Sequence, residues 1–145
     1  MTFYTLCGSV ALSNLRNIQC LNFGLGSSVQ SGSTELKIIS ADGGGSTIQP
    51  VHSDQQILAV ETVEIRTLDS LQLENVGFIK MDVEGNELDV LRGGISSIKR
   101  WGRPRILFEN NTSDTAIFEF LLDNGYQYTR INGYSNMFLA FTASA

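Results

Sequence analysis

The sequence predicts an α/β domain, and three observations carry that prediction. In the second half of the chain the apolar periodicity switches repeatedly, giving the order strand–helix–strand–helix–strand–strand. The strand candidates at 77–82 (GFIKMD) and 105–109 (RILFE) hold the unalternating runs Phe78-Ile79 and Ile106-Leu107-Phe108, as parallel strands covered on both faces do. Asn132-Gly133 separates the last two strand candidates and supplies a hairpin turn, so the sheet ends in an antiparallel pair.

The elements follow in order. Residues 2 to about 15 read as an amphipathic helix, with Phe3, Leu6, Cys7 and Val10 at helical spacing. Asn17 opens the connection to a short apolar strand at 19–23, closed by Gly24-Leu25-Gly26. After a polar run at 27–33, residues 34–40 read as a strand, Gly43-Gly44-Gly45-Ser46 as its turn, and 47–51 as the returning partner. Residues 52–56 are loop, and 59–66 form a strand in which Val63 and Ile65 alternate with Glu64. Beyond the strand at 77–82, Leu88, Leu91, Ile95 and Ile98 make one stripe of a helix from Asn86 to about Arg100. Gly93-Gly94 inside it costs about 1 kcal/mol per glycine relative to alanine, which marks a close helix–sheet approach or an early helix end. Gly102 and Pro104 stop it. A further helix spans 113–124, with Ile117/Leu121 and Phe118/Leu122 at i, i+4 and Gly125 as its C-terminal cap. The closing strands cover 126–131 and 137–142.

Composition bounds the function. The chain has 145 residues, the size of one domain, and is 42% hydrophobic with a mean hydropathy of +0.01. Ten basic against 15 acidic residues give a net charge of −5, so the chain lacks the positive field that drives sequence-independent nucleic-acid binding. No apolar run approaches the ~18 residues of a membrane span, and the first residues lack the basic start of a signal peptide. Cys7 and Cys20 form no metal-ligand spacing and read as buried thiols. The resulting expectation is a soluble cytoplasmic protein with neither nucleic acid nor membrane as partner.

Asp82 and Glu109 each end a predicted parallel strand, the rim where ligands bind in open α/β sheets. A carboxylate there accepts hydrogen bonds from hydroxyls or takes a proton as a general base. The same spacing also suits capping of the following helix, and for Glu84 and Glu87 capping is the favoured reading. His52, the only histidine, excludes a multi-histidine metal site and is read as a solvated loop residue, and no metal ligand set is assigned. Asp69 is read as a cap for the segment after Leu68, and Trp101 as helix-end packing.

Four elements in order carry a family resemblance: RTLDSL at 66–71, FIKMDVEGNE at 78–87, VLRGG at 90–94 and PRILFE at 104–109. Together they resemble the signature of FkbM-type methyltransferases, and Asn14–Ile18 leading into Asn22–Gly26 is similar to that family's helix and third strand. The resemblance implies an S-adenosylmethionine-dependent O-methyltransferase with a Rossmann-like class I sheet, acting on a hydroxyl of a saccharide or small metabolite. It places Asp82 at the site, touching cofactor or acceptor, makes Glu109 the base or substrate contact, and sets Leu25 and Gly26 near the adenine.

It also implies a glycine-rich loop and a strand-end acid from two earlier strands, and neither is found in this sequence. Gly24-Leu25-Gly26 follows a strand but opens no helix, so it is not that loop. The expected sheet is therefore incomplete, an N-terminally truncated domain with two raw edges. Such edges favour self-association or a partner segment, and weak or absent cofactor binding by this chain alone. The rival expectation is a non-catalytic remnant or half-domain that assembles with a partner chain.

Overall fold

A computed structural model describes residues 2–41, 45–51, 53, 55–111, 115–133 and 136–143. The architecture is mixed α/β with two small sheets. Helix α1 (Thr2–Leu12) leads to β1 (Gly24–Leu25), β2 (Gly32–Ile38) and β3 (Ala59–Arg66), and a 3-10 turn occupies Asp69–Leu71. Then come β4 (Phe78–Met81), α2 (Glu87–Arg92), α3 (Ile95–Arg100), β5 (Arg105–Glu109), α4 (Ala116–Asp123), β6 (Gln127–Arg130) and β7 (Met137–Phe141). Among the described residues no helix is long and apolar enough to cross a membrane.

The second sheet has the order β4-β5-β7-β6. β4 and β5 are parallel, from Phe78↔Arg105 to Met81↔Phe108, whereas β7 runs antiparallel to both β5 and β6. This is the parallel pair and terminal antiparallel pair that the sequence predicts. Phe108, Ile106 and Ala140 are fully buried at its centre, and Leu91, Ile98 and Leu121 cover them from the helices. Phe118 extends that core as an aromatic cluster, with ring centroids 4.8 Å from Phe138 and 4.6 Å from Tyr128. Its i+4 neighbour Leu122 instead faces solvent, 54% exposed. Gly125, at φ 82°, ends α4 as predicted, and Arg103 Nε donates to the Asn124 carbonyl at 2.8 Å beside it.

The first sheet, β1-β3-β2, departs from expectation in three ways. The predicted strand at 19–23 is irregular, and the ladder is confined to Gly24 and Leu25, parallel to Ile65 and Arg66. Leu21 and Phe23 line a cleft instead of entering the ladder. The expected return strand at 47–51 reduces to a single Lys37↔Thr47 bridge, since Pro50 cannot donate to a ladder. β2 pairs along its whole length with the β-branched β3, from Gly32↔Ile65 to Ile38↔Ala59. Gly43, Gly44, His52, Ser113, Tyr134 and Ser135 lie outside the described residues, so the triple-glycine turn and the solvated-histidine reading do too. The cysteines are not buried, because both keep intermediate exposure on α1 and the segment after it.

The helix expected over 86–100 is two helices, α2 and α3, broken at Gly93-Gly94. Both readings of the glycine pair hold. A Cβ on Gly93 would overlap the Gly26 carbonyl, and one on Gly94 would stand 2.7 Å from Leu68 Cδ2. The pair is where the helical layer of the second sheet meets the first sheet.

Candidate active site

A cleft of about 500 Å³ opens between the two sheets. β1 stands at one end of its sheet and β4 at one end of the other, so each presents an unpaired side among the described residues. Phe3, Leu6, Leu21, Phe23 and Leu25 make an apolar wall, and Asp82, Glu84 and Asn86 bring polar groups from the loop after β4. β4 delivers Asp82 because its parallel partner β5 holds Met81 against Phe108, leaving the next residue beyond the ladder. The carboxylate is about half exposed and meets Lys80 Nζ at 3.4 Å, an exposed pair that holds it only loosely.

The loop after Asp82 turns sharply. Glu84 and Gly85 both take positive φ, 50° and 88°. Glu87 closes the turn, its Oε1 accepting from the Val83 amide at 3.2 Å, a loop amide and not one of the α2 N-terminal amides that the capping reading assigns to it. Glu84 does not cap with its side chain in this arrangement. It is exposed, and its carbonyl accepts from Thr47 Oγ1 at 3.2 Å.

Asn86 joins the two sheets. It is 3% exposed, and its Nδ2 donates to the Leu25 carbonyl at 2.9 Å. Its Oδ1 accepts from Gln30 Nε2 and from Gln49 Nε2, each at 2.8 Å. The Gln30 amide also reaches Asp89, at 3.2 Å. A buried amide used on both ends in this way fixes β1 relative to the loop that carries Asp82. Sequence reasoning missed Gln30 and Gln49, whose partners lie 56 and 37 residues away. The helical stripe of α1 did signal Phe3 and Leu6, but not which surface they would face.

The four site candidates separate in space. Leu25 and Asp82 line the cleft together, and Gly26 and Glu109 are not among its lining residues. Gly26 is buried against the Gln30 and Ile65 side chains and against Gly93, and its amide donates to the Arg66 carbonyl at 3.0 Å. Glu109 ends β5 opposite Met137 and accepts a hydrogen bond from Asn136 Nδ2. Asp69 does cap a helix, but a distant one: its Oδ1 accepts from the Ser97 amide at 2.7 Å and its Oδ2 from Ser96 at 3.3 Å, at the start of α3. Partial burial alone would raise its pKa. The hydrogen bonds from Ser97 and then Ser96 outweigh that and hold it below the ordinary carboxylate value. Trp101 packs at the end of α3 and donates to the Leu73 carbonyl at 2.9 Å. Among the described residues no three His, Cys, Asp or Glu side chains gather closely enough to hold a metal ion.

The fold is similar to the crystal structure of Methyltransferase FkbM from Methylobacillus flagellatus KT, with a TM-score of 0.60 at 17% identity. The match covers 95% of this chain and 33% of that one, so the chain spans about a third of that neighbour's length. No curated protein matches the sequence significantly. The model of the methyltransferase FkbM domain matches residues 5–128, which take in the first sheet and the second as far as the start of β6, and the chain belongs to that family.

Proposed function

We propose that this chain forms part of an S-adenosylmethionine-dependent O-methyltransferase that acts on a hydroxyl of a saccharide or small metabolite. The observation that carries the reading is the meeting of Asp82 and Leu25 in one cleft between the sheets, in a chain of the FkbM family. The apolar wall suits the face of an adenine ring. The Asp82 carboxylate suits a hydroxyl, or the positive sulfonium of the donor, through fixed negative charge. Glu109, at the neighbouring strand end, is the second candidate, as base or acceptor contact.

The described residues fit only one end of the donor. Gly24 and Gly26 are packed on Ile65, and a Cβ on Gly24 would stand 2.7 Å from its Cδ1, so this glycine pair is spent on β3 rather than on a cradle. The loop after β4 does follow a strand and open a helix beside the cleft, but Gly85 is its single glycine, so among the described residues no glycine-rich loop takes that place. No methyl-transfer step is therefore derived from these residues alone. The reading assigns the rest of the cradle to two strands bridging the free sides of β1 and β4, which would complete a Rossmann-like sheet.

Calorimetric titration of the 145-residue chain with S-adenosylmethionine tests this. The expected result is no saturable binding at micromolar donor. A micromolar dissociation constant would overturn the incomplete-cradle reading. With the bridging strands supplied in the same chain, Asp82→Asn should lower turnover by about 10²–10⁴-fold. A rate near that of the unsubstituted protein removes Asp82 from the mechanism.

A further inference from the structure

We propose that Asn132–Gly133, in the connection between β6 and β7, is a site of spontaneous deamidation, and that the fold holds back the same reaction at Asn124–Gly125. The reaction needs the backbone nitrogen of the glycine to reach the side-chain carbonyl carbon of the asparagine. A following glycine favours it, because no Cβ shields that nitrogen or restricts the backbone. The two pairs share this local chemistry, and their glycines take nearly the same backbone angle, φ 82° at Gly125 and 86° at Gly133. Exposure does not separate them either, since both glycines are exposed. Hydrogen bonding does.

At Asn124–Gly125 both reacting groups are tied. Asn124 Nδ2, which would leave as ammonia, donates to the Phe120 carbonyl at 2.8 Å, and the Gly125 amide donates to the Leu122 carbonyl at 3.0 Å. A Cβ on Gly125 would also stand 3.4 Å from Arg103 Nε, which itself donates to the Asn124 carbonyl. Attack there requires the end of α4 to open first. At the other pair, neither the Asn132 side chain nor the Gly133 amide has a hydrogen-bond partner among the described residues, and a Cβ on Gly133 would meet nothing within 4 Å. The hairpin is closed outside the pair, by the Ile131 amide donating to the Met137 carbonyl at 2.9 Å, so the turn can rearrange without breaking the ladder.

In the first step the Gly133 nitrogen gives up its proton and bonds to Asn132 Cγ, ammonia leaves, and a five-membered succinimide closes. Water then opens the ring at either carbonyl, leaving aspartate or isoaspartate. One water is consumed and one ammonia released, with no change of oxidation state. The product adds a negative charge to a chain already at −5. The isoaspartate form also adds one carbon to the backbone of the connection that carries Asn136, whose Nδ2 donates to Glu109 and to Asn111. The modified turn is therefore part of the arm that holds the second site candidate.

The test incubates the purified chain at mildly alkaline pH and body temperature, folded and in concentrated urea, and follows its tryptic peptides by mass spectrometry after digestion in mild acid. Peptides 106–130 and 131–145 carry one Asn-Gly pair each, so the two sites report independently. In the folded chain, Asn132 should exchange its amide NH₂ for OH at least about tenfold faster than Asn124, because only the latter waits on local opening. In urea the two rates should converge. Asn132→Gln should remove the change from peptide 131–145, in which Asn136 precedes a methionine. Equal rates at the two pairs in the folded chain, or an undiminished change in the Asn132→Gln peptide, would overturn the proposal. The readout is the amide chemistry itself, so it stands apart from whether the chain binds a methyl donor.

Discussion

Asp69 shows how a single side chain can join distant parts of this chain. Its two oxygens accept from the amides of Ser97 and Ser96, 28 and 27 residues away, and its own amide donates to the Gly93 carbonyl at 2.9 Å. The sequence makes Asp69 a cap but places the capped segment directly after Leu68, because spacing reveals local partners only. Its folded-state pKa lies below the unfolded value of about 3.9, so its contribution is full above that value and is lost as the pH falls through the folded one. Asp69→Asn should cost about 1 kcal/mol at pH 7, at the low end for a charged acceptor because solvent reaches the carboxylate. The gap between the two proteins should narrow as the pH falls below about 4, where the unfolded carboxylate begins to protonate, and close further as the native one follows at lower pH. Urea unfolding at both pH values measures this, and a gap independent of pH would detach the effect from ionisation.

At the scale of elements, legibility follows packing. β5 matches its predicted bounds, and β4, α4, β6 and β7 fall within theirs, since an apolar run between clear breakers leaves little choice. β1 is poorly legible because Leu21 and Phe23 are apolar for the sake of the cleft, not of a ladder. Of the cleft lining, the strand-end position of Asp82 is legible in the sequence and Leu25 enters through the family resemblance alone, while Asn86 gives no sign beyond a helix start that it holds Leu25. Gly93-Gly94 was legible as an anomaly, but only the structure supplies what approaches it: the backbone of Gly26 and the Leu68 side chain. Gly93→Ala should therefore gain helix propensity yet destabilise the protein by about 1–3 kcal/mol through overpacking against backbone. Gly77→Ala is the matched control. A Cβ there meets nothing within 4 Å, so this substitution should be neutral or stabilising by up to about 1 kcal/mol. Equal effects of the two changes in chemical denaturation would mean that the contact with Gly26 does not constrain the fold.

Over the whole molecule, burial is unevenly divided. Among the described residues Ile65 is the one buried apolar side chain that precedes Leu68, and the core members after Leu68 lie in the second sheet and its helices or, for Tyr126, just before β6. The length alone suits one domain of ordinary stability, but the first sheet rests on its backbone ladder, on Asn86 and on the contacts around Gly26 and Gly93. Val60 and Leu58 on and beside β3 are half exposed, which leaves that hairpin with little apolar surface to lose on opening. Regions with few buried contacts open at lower free energy than the global transition. Amide hydrogen exchange read by mass spectrometry should show this as a step along the chain. Peptides from β2 and β3 should be protected at least about tenfold less than those from β5, α4 and β7, which should track global unfolding. Such a step is what a cleft wall awaiting neighbouring strands would give, because those strands would add the buried surface that β1 and β3 lack. Uniform protection across both sheets would show that the first sheet is already as stable as the second, and would remove the stability argument for bridging strands.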